Sequence, residues 1–111
     1  MSETAESPLA EVLNRLWIKY VPQIEERAAS LKAAADALMR EDLTATEQKR
    51  ACSEAHKLAG VLGTFGLDEG TELAREAQTL CEDARNVGST DVAFRLAAIA
   101  EQLQVIIANR K

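Results

Sequence analysis

The sequence predicts an all-α fold, an antiparallel up-and-down four-helix bundle with an additional N-terminal helix, from three observations. Hydrophobic residues make up 47% of the 111 residues but aromatic residues only 4%. This composition favours packed helices over a sheet, which would need more Val, Ile, Thr and Tyr. Apolar residues recur at helical spacing along most of the chain. The segments between these stretches are short, which suits consecutive helices packed side by side.

The chain is long enough for one domain and one core. Residues 1–7 (MSETAES) have no apolar periodicity, so we expect a disordered lead-in there. Residues 8–111 should form the helical bundle domain. Both a free-standing protein and a part excised from a larger sensor would have this organisation.

Pro22 should separate the first two helices. Ser7 and Pro8 form a typical helix start, and apolar residues follow at helical spacing as far as Tyr20. Pro22 is then expected to break or kink the helix near Val21. The apolar stripe of the second helix consists of Ile24, Ala28, Leu31, Ala35 and Leu38.

The other three helices are recognised by their ends. A capping box at residues 44–47 should start the third helix, which runs to about Phe65, with Gly66 as a left-handed cap. The fourth helix stops before Gly88, and residues 89–91 can cap the fifth. The apolar stripes are Leu73, Ala77, Leu80 and Ala84 in the fourth helix, and Val92, Leu96, Ile99, Leu103 and Ile106 in the fifth.

Charge and cysteine content exclude several classes of function. The formal net charge of -5 argues against nucleic acid or an anionic membrane as partner, because both bind basic patches. No stretch is apolar enough to span a membrane, and the N-terminus is unlike a signal peptide, so we expect a cytoplasmic protein. Cys52 and Cys81 match no metal-binding spacing and are predicted to be buried or unreactive thiols.

We expect a monomer, because the predicted bundle has no obvious spare apolar face. The first helix contains the one apolar group that leaves a choice, Trp17 with Tyr20 and Val21. These residues should belong to the core, and the alternative is a patch that mediates association.

The segment AHKLAGVLGTFG, residues 55–66, contains the only histidine and three of the five glycines. On a helical wheel at about 100° per residue, the apolar side of this helix is centred about 150° from His56. The imidazole is therefore predicted to face solvent. Gly60 and Gly63 lie on the side of His56, although each costs a helix about 1 kcal/mol relative to Ala. They would clear a trough through which another surface could approach the imidazole.

Three explanations of this face are open from the residues alone. The glycines could merely permit close helix packing, with His56 an ordinary surface residue. Cys52 and His56, at i and i+4, could form half of a metal site, but no third ligand is apparent and no metal is predicted. An accessible neutral imidazole can also act as a nucleophile. Phosphoryl acceptance fits best, because that transfer depends chiefly on positioning and charge stabilisation, which a docked partner can supply.

Residues 56–60 (HKLAG) and 63–66 (GTFG) resemble the signature of histidine-containing phosphotransfer (HPt) domains, including the N-terminal domain of chemotaxis histidine kinases. The resemblance extends from about Leu9 to Ile107. It implies a four-helix bundle, sometimes with an extra N-terminal helix, in which His56 accepts a phosphoryl group from a receiver-domain aspartate and passes it to another receiver. It also implies that Mg²⁺ is bound by the partner receiver and that the chain needs no cofactor of its own.

One position departs from the family pattern, because Ala59 stands where a lysine is usual. Another cation should then support the phosphate, and the candidates are Lys57, about 100° round the helix, and Arg75 on the next helix. Family members often place Gln or Glu on that helix to hydrogen-bond the imidazole, and an ungapped continuation from His56 brings this position to Gln78. We predict that Gln78 orients His56. The alternative is that Gln78 and Arg75 are solvated surface residues.

The predicted function is that of a phosphorelay intermediate whose partners are response-regulator receivers or a hybrid histidine kinase. A neutral amide at position 78 favours a relay protein over a kinase, and the chain has no glycine-rich phosphate loop or ATP-binding domain. We therefore expect a phosphocarrier without a self-contained active site. The alternative is a non-catalytic helical adaptor that docks a receiver or other protein through the same face. The predicted docking face consists of Lys49, Cys52, Ser53, Gly60, Gly63 and Thr64.

Overall fold

Four helices account for all the regular secondary structure of the residues that the computed structural model describes, 8–84 and 89–110. They are α1 (Pro8–Met39), α2 (Ala45–Thr64), α3 (Asp68–Asp83) and α4 (Ser89–Asn109). The predictions for residues 1–7 and for a stop at Gly88 lie outside the described residues. No helix in the described ranges is both long and apolar enough to cross a membrane.

The predicted break at Pro22 is wrong, because α1 is one helix of 32 residues with Pro22 inside it. The predicted first and second helices are therefore a single element, and no separate N-terminal helix precedes the bundle in the described residues. Pro22 itself is exposed, while Trp17 and Ile24 on either side of it are buried. Packing of this continuous apolar stripe outweighs the roughly 3 kcal/mol that an internal proline costs.

Local hydrogen bonds set both ends of α2. The Thr44 hydroxyl accepts from the Glu47 N–H at 3.1 Å, and the Glu47 carboxylate accepts from the Thr44 N–H at 2.9 Å, which confirms the capping box. At the other end, Gly66 has a left-handed φ of 74° and its N–H donates to the Gly63 carbonyl at 3.0 Å, as in a Schellman motif. α2 is therefore a firm helix with His56 in its middle.

The apolar sides of the four helices meet in one core. Helices that are neighbours in the sequence pack against each other, and α1 also packs against α4. The predicted stripe of the last helix is buried at its first four positions, whereas Ile106 is only half-buried because Ile107 takes the core position. The largest fully buried aliphatic side chains are Ile24, Leu31, Leu58, Leu62, Leu96, Ile99, Leu103 and Ile107.

The apolar side of α3 differs from the prediction. Leu73 and Leu80 are only half-buried, and the buried positions are those of small residues, Gly70, Thr71, Ala74, Ala77, Cys81 and Ala84. The physical reason is close approach to α2, since a Cβ on Gly70 would lie 3.0 Å from Leu62 Cδ1. The observed buried side is rotated by about 60° from the predicted one. This rotation brings Gln78 towards α2.

Aromatic and charged groups tie the helix ends and faces together. Trp17 is 5% exposed and meets the Phe65 ring edge-on, with centroids 5.1 Å apart, so it belongs to the core as expected. The Arg110 guanidinium lies 4.8 Å from the Trp17 ring centroid. Tyr20, by contrast, is exposed. Ion pairs also join neighbouring helices, with Arg27–Glu54 at 2.6 Å between α1 and α2 and Arg95–Glu76 at 2.6 Å between α3 and α4.

Candidate functional site

His56 is exposed in the middle of α2, as the helical wheel predicts. The opposite side of the helix is anchored in the core, because Ala55, Leu58 and Leu62 are fully buried. The imidazole opens onto a shallow cleft of about 500 Å³ between α2 and α3. The residues that line this cleft, called here the His56 cleft, are His56, Ala59, Gly60, Arg75, Gln78, Thr79 and Glu82.

Gln78 contacts the imidazole from α3. Its Oε1 lies 3.3 Å from His56 Nδ1, and its side chain is half-buried. An amide oxygen can only accept a hydrogen bond, so a hydrogen bond at this contact requires the ring hydrogen to be on Nδ1. Nε2 is then the nitrogen with a free lone pair. The structure thus brings the side chains of His56 and Gln78 within hydrogen-bond distance of each other.

The two candidate phosphate-supporting cations are placed differently. Arg75 lines the His56 cleft, whereas Lys57 is exposed and does not line it. The Arg75 guanidinium is 3.8 Å from a Glu72 carboxylate oxygen, and its side chain is 68% exposed. Such an exposed pair contributes little stability, so the guanidinium is free to turn towards a ligand in the cleft.

Ala59, at the position where the family usually has a lysine, is buried in the wall of the His56 cleft. Its carbonyl accepts a hydrogen bond from the buried Thr71 hydroxyl at 3.2 Å. This bond joins α2 to α3 about one turn beyond the imidazole. The Ala59 side chain itself brings no charge to the cleft.

Gly60 and Gly63 have different surroundings. A Cβ on Gly63 would lie 3.4 Å from the Thr71 hydroxyl, at ordinary van der Waals distance, so this glycine lies against α3. A Cβ on Gly60 would meet nothing within 4 Å. Helix packing therefore does not explain Gly60, which lines the cleft beside His56 and leaves it open. The exposed Thr64 hydroxyl donates to the Gly60 carbonyl at 3.2 Å.

Among the other residues of the predicted docking face, Lys49 and Ser53 are exposed but Cys52 is half-buried. The Cys52 thiol faces the Cys81 thiol across the α2–α3 interface, and both are free. Burial raises the pKa of Cys52, and it raises the pKa of Cys81 to about 12. Thiols of this kind are poor nucleophiles near neutral pH. Cys52 is thus part of the helix interface more than of an open surface.

Sequence reasoning missed three contributors to this region: Gln48, Thr71 and Glu82. The Gln48 amide donates to the Cys81 carbonyl at 2.7 Å and thereby ties the start of α2 to the end of α3. Glu82 lines the cleft and accepts from the Gln78 amide. The i, i+4 spacing of Gln78 and Glu82 could have indicated that these two side chains are hydrogen-bonded. It could not show that both face the cleft, because the apolar pattern predicted the wrong rotation of α3 about its axis.

Two other chemical uses of the surface find no support in the described residues. Within 8–84 and 89–110, no three His, Cys, Asp or Glu side chains come together as a metal site. A second cleft of about 210 Å³ lies between α1 and α2 and is lined by four alanines together with Ser30, Leu43, Glu47 and Arg50. Its hydroxyl group, on Ser30, donates to the Glu26 carbonyl within α1. The His56 cleft, which contains the single imidazole of the chain, is therefore the better candidate for a functional site.

Comparison with known proteins agrees with this geometry. The family model described as the Hpt domain matches residues 15–108. Protein RcaC of Microchaete diplosiphon is 36% identical over 66 residues, which cover 60% of this chain and 10% of that protein. The matched part is thus about a tenth of the length of this relative. No solved structure matches the chain.

Proposed function

The chain belongs to the Hpt domain family, whose members serve histidine phosphotransfer in phosphorelays, and we propose that His56 is its phosphoryl-accepting residue. His56 would take the phosphoryl group from an aspartate of one response-regulator receiver, or of a hybrid histidine kinase, and pass it to another receiver. The observation that carries this proposal is the exposed imidazole with Nδ1 held by Gln78 and an open cleft beside it.

The proposed step needs no proton transfer. The Nε2 lone pair of His56 attacks the phosphorus of the aspartyl phosphate, and the N–P bond forms as the P–O bond to the aspartate breaks. The bonding electron pair leaves with the aspartate carboxylate, while Nδ1 keeps its hydrogen. The phosphorylated ring is positively charged, so its Nδ1–H bond to Gln78 Oε1 becomes charge-assisted and stronger. Gln78 therefore stabilises the product of the transfer.

Because Gln78 is neutral, it stabilises the charged ring less than a carboxylate would, which suits onward transfer. Arg75, on the edge of the cleft, would offset part of the phosphoryl charge of about -1.5 to -2. Lys57, which does not line the cleft, would contribute less to offsetting this charge. Mg²⁺ would be held by the receiver, where it neutralises charge on the transferring group.

The open space at Gly60 would admit the active-site edge of the receiver. The exposed residues around it, Lys49, Ser53, Gly63 and Thr64, would form the rest of the docking face. The hydrogen bonds between α2 and α3 support an antiparallel arrangement. Gln48, near the start of α2, contacts the Cys81 carbonyl near the end of α3, whereas Ala59, near the end of α2, contacts Thr71 near the start of α3. We also propose that the protein is a monomer and is located in the cytoplasm.

The test is to incubate the protein with receiver domains that have been phosphorylated by radiolabelled acetyl phosphate, and to follow the transfer of the labelled phosphoryl group to this chain. We expect label that is acid-labile and base-stable, as an N–P bond requires, and none on His56→Gln. Arg50→Gln is the matched control, because it is an exposed substitution on the same helix outside the proposed docking face. Absence of label from every receiver, or label that persists in His56→Gln, would refute the proposal. Receiver binding without label would identify the chain as a non-catalytic adaptor instead.

A further inference from the structure

Gln78 has two hydrogen-bond partners, one at each end of its amide. Its Oε1 lies 3.3 Å from His56 Nδ1, and its Nε2 lies 3.4 Å from Glu82 Oε2. Gln78 and Glu82 are one turn apart on α3, a spacing at which side-chain hydrogen bonds form along a helix. The three side chains are thus a linear chain of carboxylate, amide and imidazole along one wall of the His56 cleft.

Each link of this chain has a fixed direction. A carboxylate can only accept a hydrogen bond, so Glu82 requires the NH₂ end of the Gln78 amide. That leaves Oε1 pointing to His56, and because Oε1 can only accept, the ring hydrogen must be on Nδ1. Without Glu82 the amide could turn over, and its NH₂ would then face Nδ1. The imidazole would then carry its hydrogen on Nε2, and the Nε2 lone pair would no longer be available for nucleophilic attack.

We propose that Glu82 is a positioning residue that selects the reactive tautomer of His56 by fixing the orientation of the Gln78 amide. This inference rests on the proposed function, because it concerns which ring nitrogen is available for phosphoryl transfer. In this proposal Gln78 contacts the imidazole directly, but Glu82 determines which end of the Gln78 amide faces it.

Glu82 is held where this role requires it. Its backbone carbonyl accepts from the Gln48 amide at 3.3 Å, so the last turn of α3 is tied to α2. Its carboxylate also helps to raise the pKa of both Cys52 and Cys81, which line the interface between these helices. The charge therefore lies on the α2 side of α3, beside the cleft, although the side chain remains accessible to solvent.

The experiment is ¹⁵N NMR of the imidazole in the tag-free, unphosphorylated protein at a pH where the ring is neutral. His56 is the only histidine, so the two ring signals belong to it without assignment. An imidazole free in water favours hydrogen on Nε2, and we expect the wild-type protein to have it mainly on Nδ1. Glu82→Ala should lose most of this preference. Glu82→Lys, which can only donate, should turn the amide over and place the hydrogen on Nε2.

Two further variants separate the hydrogen bond from charge and from general disturbance. Glu82→Gln has the same charge as Glu82→Ala and still presents a carbonyl oxygen, but its amide can also donate, so its share of the Nδ1–H form should lie between those of wild type and Glu82→Ala. Asp83→Ala removes the neighbouring exposed carboxylate and should leave the tautomer unchanged. The inference is overturned if wild type has its hydrogen on Nε2, or if Glu82→Ala and Glu82→Lys keep the wild-type tautomer. It is equally overturned if Asp83→Ala shifts the signals as much as they do.

A kinetic comparison completes the test. At equal charge, Glu82→Ala should accept phosphoryl groups up to about threefold more slowly than Glu82→Gln, and threefold is the effect expected for one exposed hydrogen bond. Equal rates together with an unchanged tautomer would contradict the positioning role. Because the NMR measurement needs neither a partner nor phosphate, failure of the phosphotransfer proposal would leave its result readable, and the converse also holds.

Discussion

Gly70 on α3 lies against Leu62 on α2 so closely that an added Cβ would come within 3.0 Å of Leu62 Cδ1. Leu62 is fully buried and has little room to move. This contact sets how near the two helices approach, and with it the distance over which Gln78 reaches His56. It also explains why small residues, rather than Leu73 and Leu80, occupy the buried side of α3.

Gly70→Ala is expected to lower the free energy of unfolding by about 1 kcal/mol, because overpacking at a tight contact outweighs the gain in helix propensity. Gly60→Ala is the matched control. Its added Cβ meets nothing, so it should raise the stability by up to about 1 kcal/mol. Urea unfolding followed by the fluorescence of the single tryptophan measures both. Changes of the same sign in the two variants would contradict this interpretation.

Gly60→Leu should leave the fold intact but obstruct the docking of a receiver. The added side chain would project into the open side of the His56 cleft, where its Cβ meets no neighbour within 4 Å. Transfer from a phosphorylated receiver should fall about tenfold to a hundredfold, since small displacements of reacting groups have effects of this size. Phosphorylation of His56 by phosphoramidate, a donor too small to need the docking face, should change little. Equal loss with both donors would show that Gly60 acts on the imidazole itself.

Arg75→Ala should slow phosphoryl uptake on His56 by about threefold to fivefold, the effect expected for losing one exposed charge interaction. Lys57→Ala should leave the rate within about twofold, because Lys57 does not line the cleft and its charge is screened by solvent. Rates with a labelled receiver, measured at low ionic strength, distinguish the two. Recovery of the rate in Arg75→Lys would show that charge matters, whereas a larger effect of Lys57→Ala would reverse the assignment.

Protein stability should decline above pH 9 because of Cys81. Below that pH the thiol is neutral in both states and contributes no pH dependence. Above it the unfolded chain releases the proton, while the folded protein, in which burial raises the pKa of Cys81 to about 12, retains it. Unfolding is therefore favoured as the pH rises from 9 towards 12, by up to about 1.4 kcal/mol per pH unit.

The measurement is urea unfolding of wild type and Cys81→Ala between pH 7 and 10. Wild type should lose about 1 to 2 kcal/mol relative to the variant over this range. The variant has its own offset from lost packing, so only the change with pH is compared. Parallel stability curves would mean that Cys81 ionises as readily in the folded protein as in the unfolded chain.

Several features of this protein are determined by the sequence itself, because they depend on residues that are near one another in the chain. The capping box at Thr44 and the left-handed Gly66 set the ends of α2 through hydrogen bonds within one or two turns. The exposure of His56 follows from the 3.6-residue period, which places Leu58 and Leu62 on the opposite, buried side.

Only the tertiary structure decided what depends on the approach of one helix to another. α1 continues through Pro22 because packing on both sides of it outweighs a local cost. The rotation of α3 is decided by the Gly70–Leu62 contact, since small residues permit an approach that an apolar pattern of leucines does not reveal. That rotation brings Gln78 to the imidazole and places Glu82 in the cleft. Local periodicity places a residue on one side of its helix, but tight packing between helices decides which side chain it meets.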